Sequence, residues 1–129
     1  QRLASIIFND QEKQNAVNKL VHPLVFKNFT EWAGQQDAPY VIMEAAILVE
    51  SGATNIVDKI ITVVAPVNER IERVVRSKKF TPGQVLERIN NQTDDETRLN
   101  YSDYVINNAD NEMIIPAILK IHKTILSLL

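Results

Sequence analysis

The feature that most constrains this chain is a nearly unbroken apolar run, YVIMEAAILVE, at residues 40–50. Pro39 precedes the run and Ser51-Gly52 closes it. A run without polar alternation is typical of a strand that is buried on both faces of a parallel sheet covered by helices. A buried helix is the alternative, but the flanking proline and glycine favour a strand. Ligands of open α/β sheets bind beyond the carboxyl ends of the strands, so Glu50, and Glu44 within the run, are the first carboxylates to consider.

Two further segments are predicted strands, because residues 60–65 (IITVVA) are rich in β-branched side chains and residues 103–107 (DYVIN) run into the turn formers that follow. The first two helices are expected to meet at a corner at His22-Pro23, since the residue before a proline avoids the α conformation. The predicted helices are residues 11–21 after an Asn9-Asp10 cap, Pro23 to about Gly34, Pro66 to about Arg76, one that starts at Thr81-Pro82-Gly83-Gln84, and Glu112 to the end. Strands spaced by helices predict an α/β layer fold.

Composition excludes several classes of protein. The chain has 129 residues, which suits one domain, and a net charge of -2, which gives no electrostatic footprint for nucleic acid. It has no cysteine, which fits a reducing compartment, so we expect a cytoplasmic location. No apolar run approaches the ~18 residues of a membrane span. The first residue is Gln1 rather than Met, which indicates a processed, trimmed or engineered piece.

A basic cluster follows the second predicted strand. Arg70, Arg73 and Arg76 lie on the polar side of the predicted helix, opposite an apolar stripe, and Lys78 and Lys79 follow it. No aromatic residue lies among them, which argues against nucleic-acid binding. A solvated helix face and a phosphate clamp both remain open, because guanidinium groups grip phosphoryl oxygens in two-pronged fashion.

The other candidate residues also have two interpretations each. His22 is either a helix-terminal histidine or a ligand contact, and Glu44 and Glu50 are either strand-end polar residues or a general base or metal carboxylates. The pair of asparagines at residues 107 and 108 either forms a turn or presents an amide to a base. The chain has two histidines, His22 and His122, and no matching acid cluster, so no metal site is predicted. None of these signals alone identifies a reaction.

The order of the segments carries a more specific signal. The segments are LASIIFND (3–10), LVHPLV (20–25), AILVESG (46–52), VDKIITVVAP (57–66), RIERVVR (70–76), RINNQ (88–92) and DYVINN (103–108). Taken together they resemble the dephospho-coenzyme A kinase family, P-loop kinases of the nucleotide-kinase type. The resemblance covers nearly the whole chain.

The resemblance implies a reaction and a set of site residues. The family transfers the terminal phosphate of ATP, with Mg²⁺, to the ribose 3′-hydroxyl of dephospho-coenzyme A, the last step of coenzyme A synthesis. His22 would belong to the helical substrate-binding part, and Glu50 would face the substrate from the sheet edge. Arg73 and Arg76 would belong to the lid that closes over the ATP phosphates. Asn108 matches an asparagine in the loop near adenine.

The resemblance also divides the chain and shows what it lacks. Residues 1–37 would form the substrate-binding part, residues 38–66 with 101–129 the sheet core and C-terminal helix, and residues 67–100 the lid-like helices. No GxxxxGK[ST] phosphate-binding loop is present, and the substrate-activating aspartate of the family is absent. The catalytic residues are therefore not assigned, and we expect the chain by itself to be inactive.

The expected fold is thus a parallel-sheet, P-loop kinase-like layer fold that lacks its N-terminal strand and P-loop. That strand would lie between the predicted strands at 40–48 and 60–65, whose edges would then be exposed and would favour self-association. Two other functions stay open: a non-catalytic module that binds nucleotide or coenzyme A, and a structural domain that binds a protein partner.

Overall fold

The computed structural model describes residues 10–77, 80–90 and 92–129, and the side chain of Gln11 is not described. The segment LASIIFN (3–9), Lys78, Lys79 and Asn91 therefore lie outside the described residues. The chain divides into two compact units, Gln1–Glu44 and Ala45–Leu129. Each unit is described by itself below.

The first unit is built on one long helix, α1 (Gln11–Ala33). The predicted cap is confirmed, because the Asp10 side chain accepts a hydrogen bond from the Lys13 N–H at 3.1 Å. The predicted end is also confirmed, since Gly34 caps the last turn. The corner predicted at His22-Pro23 is wrong, because the helix continues through Pro23. A proline inside a helix costs about 3 kcal/mol or more, but the hydrogen bonds of the turns on both sides can keep such a helix intact.

The apolar run at residues 40–50 does not form the predicted strand. Residues 40–45 are irregular, and turns at residues 46–52 lead into a single 3₁₀ turn, Ala53–Ile56. Gly52 closes these turns with a φ of 74°, in the left-handed region that favours glycine. A strand exists only where a neighbour accepts and donates its backbone hydrogen bonds, and no other described segment pairs with this run. Apolar composition alone therefore misled the prediction.

The other two predicted strands are confirmed. They form a two-stranded parallel sheet of β1 (Ile61–Val64) and β2 (Tyr104–Asn107), with Ile61 opposite Tyr104 and Val64 opposite Asn107. Asp103 fixes the start of the pair, because its Oδ2 accepts the Ile60 N–H at 2.8 Å and its Oδ1 pairs with Lys59 at 2.8 Å.

Parallel strands need a crossover, and here three helices make it. They are α2 (Val67–Arg76), α3 (Pro82–Asn90) and α4 (Asp95–Asn100). The predicted capping box at α3 is confirmed, because the Thr81 N–H donates to Gln84 Oε1 at 3.0 Å and the Gln84 N–H donates back to Thr81 Oγ1 at 3.4 Å. The helix α4 was not predicted, because its segment, DETRLN, has no apolar stripe.

The last helix, α5 (Ile114–Leu126), packs against β2 and has Pro116 in its first turn, where the missing N–H of proline costs nothing. The core of the described residues is small. Its buried apolar side chains are Ala53, Val85, Ile106 and Ile121. Val63 on β1 remains 58% exposed, so the sheet is only partly covered. No helix within the described ranges is long and apolar enough to cross a membrane.

Candidate functional site

The carboxyl ends of β1 and β2 lie side by side, and the loop after β2 starts there. The Asn108 N–H donates to the Val64 carbonyl at 2.7 Å, which extends the parallel pairing by one residue past β2. Asn108 is therefore held at the edge of the sheet where ligands of α/β proteins bind. Its side-chain amide makes no hydrogen bond within the described part of the chain. That amide can still offer one donor and one acceptor side to a planar base.

Arg73 reaches this edge from α2. Its Nη2 donates to the Asn108 carbonyl at 2.8 Å and to Glu69 Oε2 at 3.1 Å. Its Nε donates to Asp110 Oδ1 at 3.1 Å, and Nη2 contacts the same oxygen at 2.5 Å. Glu69 Oε2 also accepts the Asp110 N–H at 2.8 Å. We name these four residues, Glu69, Arg73, Asn108 and Asp110, the Arg73 cluster. The structure thus brings together two of the predicted site residues, Arg73 and Asn108.

The charges of the Arg73 cluster decide what it can do. The hydrogen bond to Asp110 raises the pKa of Arg73, desolvation opposes this shift, and the charges of Asp110 and Glu69 add to it. One guanidinium faces two carboxylates, so the cluster offers no spare positive charge. These hydrogen bonds use Nε and Nη2 of Arg73, so a phosphate that bound to either atom would have to displace one of the present partners. In this arrangement Arg73 holds the loop that carries Asn108.

Arg76 lies on the last turn of α2, one helical turn beyond Arg73. Its side chain is exposed, and no ion pair or hydrogen bond joins it to another residue within the described ranges. Of the two arginines predicted to reach phosphates, Arg76 is therefore the one whose charge is available. The lysines predicted beside it lie outside the described residues.

Glu50 belongs to a second group of polar contacts in the same unit. Its Oε1 accepts the Thr93 N–H at 2.7 Å, which ties the turn after residues 40–49 to the loop before α4. Partial desolvation pushes the pKa of Glu50 upward, but the hydrogen bonds from Thr93 and from its own backbone, with the charge of Arg98, lower it below its ordinary value. Glu50 is thus a charged, anchored carboxylate at neutral pH.

The loop before α4 is linked in turn to α2 by ion pairs. Asp95 Oδ2 pairs with Arg70 Nη2 at 2.9 Å, and Asp95 Oδ1 accepts a hydrogen bond from Arg98 Nη2. We name these three residues, Arg70, Asp95 and Arg98, the Asp95 bridge. Sequence reasoning named only Arg70 of the three as a candidate.

His22 and Glu44 lie in the first unit, and the other candidates lie in the second. His22 is half-buried on α1, and its ring centroid lies 5.9 Å from that of Phe26. Glu44 is exposed on the irregular segment before the turns. No group of three metal-binding side chains occurs among the described residues, so we assign neither Glu44 nor Glu50 to a metal.

Sequence reasoning missed the carboxylates that organise both groups. A signal for Glu69 was available, because Glu69 and Arg73 are four residues apart on one helix, a spacing that places side chains together. Asp95 has a similar local signal toward Arg98, three residues away, but its other partner, Arg70, lies 25 residues away. Asp110 gave no local signal, because Arg73 lies 37 residues away and only the crossover brings the two close.

A cavity of about 370 Å³ lies at the other end of β2. It is lined by Asp103, Tyr104 and Val105 from the start of β2 and by residues of α5 that include Lys120. None of the predicted site residues lines it. We place the candidate site at the carboxyl edge instead, because the polar contacts and the crossover both converge there.

A parallel α/β layer with a basic helix and an amide-bearing loop at its carboxyl edge defines the class of this chain, the P-loop kinase-like fold. The crystal structure of TT1252 from Thermus thermophilus matches it with a TM-score of 0.81 and 27% sequence identity. The match covers 99% of this chain and 65% of that one.

The family model described as CoaE, dephospho-CoA kinase, matches residues 1–113. A dephospho-CoA kinase of Bacteroides fragilis is 37% identical over 120 residues, which cover 92% of this chain and 58% of that protein. One from Chlorobium chlorochromatii is 35% identical over 109 residues, covering 82% of this chain and 51% of that protein. The chain therefore belongs to the dephospho-CoA kinase family, and it spans little more than half the length of these relatives.

Proposed function

We propose that the whole protein is a dephospho-coenzyme A kinase, and that this chain supplies its lid-side arginines, its adenine-side loop and its acceptor-side carboxylate. The observation that carries the proposal is the contact between Arg73 and Asn108 at the carboxyl edge of the sheet, in a chain of this family. The loop carries an Asn108 amide that makes no hydrogen bond within the described ranges, and α2 ends in Arg76, which has no ion pair there.

In the proposed reaction the ribose 3′-hydroxyl oxygen of dephospho-coenzyme A attacks the γ-phosphorus of ATP. The new O–P bond forms as the bond from that phosphorus to the β–γ bridging oxygen breaks, and ADP leaves with the electron pair. The hydroxyl proton passes to a base, and we assign that role to none of the described residues. Such transfers depend mainly on positioned positive charge, with little covalent chemistry for the protein to perform.

Each predicted residue has a proposed role that its surroundings support. Asn108 presents its amide to adenine while its backbone is held by Arg73 and Val64. Arg76, whose side chain is exposed on the last turn of α2, contacts the ATP phosphates when the lid closes. Glu50, anchored by Thr93, contacts dephospho-coenzyme A. His22 keeps the substrate-binding role that the family resemblance implies. The proposed division into residues 1–37, 38–66 with 101–129, and 67–100 is the one that the family resemblance implies.

ATP would act with Mg²⁺ in this reaction, since the metal offsets charge on the phosphates. We assign no magnesium ligand to the described residues, which hold no group of three suitable side chains. We place the enzyme in the cytoplasm, in keeping with the lack of cysteine. The net charge of -2 fits a small-molecule substrate better than nucleic acid.

The test is to express the complete reading frame that contains this chain and to follow ADP release with ATP, Mg²⁺ and dephospho-coenzyme A. We expect one ADP for each 3′-phosphorylated product. Asn108→Ala should raise KM for ATP about tenfold, the effect of losing one or two hydrogen bonds. Asn111→Ala, an exposed asparagine in the same loop, is the matched control and should leave KM unchanged.

The complete reading frame also decides between the remaining functions. No turnover, with saturable binding of ATP or coenzyme A, would reject the kinase and support a non-catalytic binding module. No binding of either would support a structural domain. The 129-residue chain has no GxxxxGK[ST] motif, so we expect no turnover from this chain by itself.

A further inference from the structure

We propose that Asp95 is a positioning residue that holds α2 in register with the segment that carries Glu50. The inference rests on the proposed function, in which Glu50 faces the acceptor and Arg73 holds the adenine-side loop. Asp95 is the first residue of α4, and each of its carboxylate oxygens takes one guanidinium. Oδ2 pairs with Arg70 at 2.9 Å, and Oδ1 accepts from Arg98.

The two arginines depend on Asp95 for their placement. Their side chains are only 25% and 23% exposed, and the Nε of each is buried without a hydrogen-bond partner. Within the described ranges, Asp95 is the one carboxylate in an ion pair with either arginine. Loss of its charge would leave two poorly solvated cations side by side. The Asp95 side chain is itself 42% exposed, so the pairs are only partly buried, but both guanidiniums would lose the carboxylate that they share.

The bridge connects segments that are far apart in sequence. On one side, Arg70 lies one helical turn before Arg73 on α2. On the other side, Asp95 follows two residues after Thr93, whose N–H donates to Glu50 at 2.7 Å. A continuous path of hydrogen bonds, ion pairs and short stretches of backbone therefore runs from Glu50 to α2. Coupling between sites travels through such contiguous networks, and Asp95 is the single ionic step in this one.

The kinetic test compares two variants of the complete reading frame. Asp95→Asn removes the charge and keeps the shape, while Glu96→Gln removes an exposed charge from the same turn of α4 and is the matched control. We expect kcat/KM for ATP to fall about tenfold in Asp95→Asn. This is less than the roughly hundredfold loss of rate that follows when a mutation shifts the reacting groups by about 1 Å. Asp95→Glu should recover most of the loss, and Glu96→Gln should match the wild type.

A merely structural role predicts a different result. If Asp95→Asn lowers Tm but keeps wild-type kinetic constants well below its Tm, the proposal is overturned. If Glu96→Gln loses as much activity as Asp95→Asn, the cause is the charge of the helix terminus rather than the bridge, and the proposal is again overturned.

Amide hydrogen exchange tests the same inference without turnover. We expect exchange at the Thr93 amide to quicken at least about fivefold in Asp95→Asn and in Arg70→Gln, but not in Glu96→Gln. Arg70→Gln leaves the pair between Asp95 and Arg98 intact, so it decides the question if Asp95→Asn does not fold. If the wild type shows no kinase activity, the proposed function is rejected. Exchange at the Thr93 amide still tests the Asp95 bridge in that case. Unchanged Thr93 exchange in Arg70→Gln would refute the bridge itself.

Discussion

Arg73 and Arg76 are one helical turn apart, yet their surroundings give them different roles. Arg73 donates hydrogen bonds to Glu69, to Asp110 and to the Asn108 carbonyl. Arg76 has no such partner within the described ranges. Residue type and spacing made them equivalent in the sequence. The difference arises because Asp110 and Asn108 come from the loop after β2, which the crossover brings to one of the two arginines.

The different surroundings of Arg73 and Arg76 predict different effects on Tm and on KM when each is replaced by glutamine. Arg73→Gln should lower Tm by a few degrees, because Glu69 and Asp110 would then repel each other and the Asn108 carbonyl would lose a donor. Arg76→Gln should leave Tm unchanged and raise KM for ATP in the complete reading frame. Thermal melting and steady-state kinetics of both variants check this. Equal losses of Tm would show that the Arg73 cluster does not hold the loop.

The lowered pKa of Glu50 predicts that the contact between Glu50 and the Thr93 amide weakens at low pH. The pKa is lower in the folded state than in the unfolded chain. The stabilisation is therefore complete above the unfolded pKa and is lost as the pH falls through the folded one. We expect exchange at the Thr93 amide, corrected for the intrinsic pH dependence, to quicken as the pH falls through this window. Glu50→Gln should flatten that change, and the same slope in both proteins would contradict the assignment.

The third helix shows how much of an element can be predicted locally. Thr81 and Gln84 cap each other as the spacing Thr-x-x-Gln indicated. Such contacts join residues that are three apart, so no tertiary information is needed. The same is true of Asp10 at the start of α1.

Loss of the Thr81 cap should destabilise α3 in a graded way. Thr81→Ala should lower the free energy of unfolding by about 1 kcal/mol, the usual value for an N-cap. Thr81→Ser keeps the hydroxyl and is the matched control. Urea unfolding of the two variants gives the comparison. A Thr81→Ala variant as stable as Thr81→Ser would show that the 3.4 Å contact contributes nothing.

Two predictions of secondary structure were wrong, the strand at residues 40–50 and the corner at Pro23, and both errors have one physical origin. The run at residues 40–50 has the composition of a buried strand, but a strand depends on a neighbour for its backbone hydrogen bonds. Pro23 has the signature of a helix boundary, but the proline bias is weaker than the summed hydrogen bonds of a helix of 23 residues. Local patterns state a preference, and the surrounding structure decides whether it is realised.

At the scale of the whole molecule, the unpaired edge of the sheet leads to a prediction about self-association. β1 pairs with β2 along one edge, and no other described segment pairs with its second edge. Val63 on β1 is 58% exposed. An open, apolar edge of this kind invites pairing with another chain. We therefore expect the 129-residue chain to self-associate as its concentration rises.

Size-exclusion chromatography with light scattering tests the association. Val63→Lys should shift the population toward monomer, because a charged side chain on an edge strand opposes pairing. Val67→Lys, an exposed valine on α2 rather than on the sheet, is the matched control and should have no effect. A wild-type chain that stays monomeric at every concentration would reject the expectation.

The sequence by itself determined the α/β class, the two paired strands, the capped helices and the family resemblance. These rest on contacts between near neighbours and on the order of segments. Only the tertiary structure decided three points. Residues 40–50 pair with no other described segment, Arg73 meets two carboxylates while Arg76 meets none within the described ranges, and Asp95 links α2 to the loop tied to Glu50. Those facts depend on groups 25 to 43 residues apart. Sequence patterns report local preference, whereas packing decides which distant groups meet.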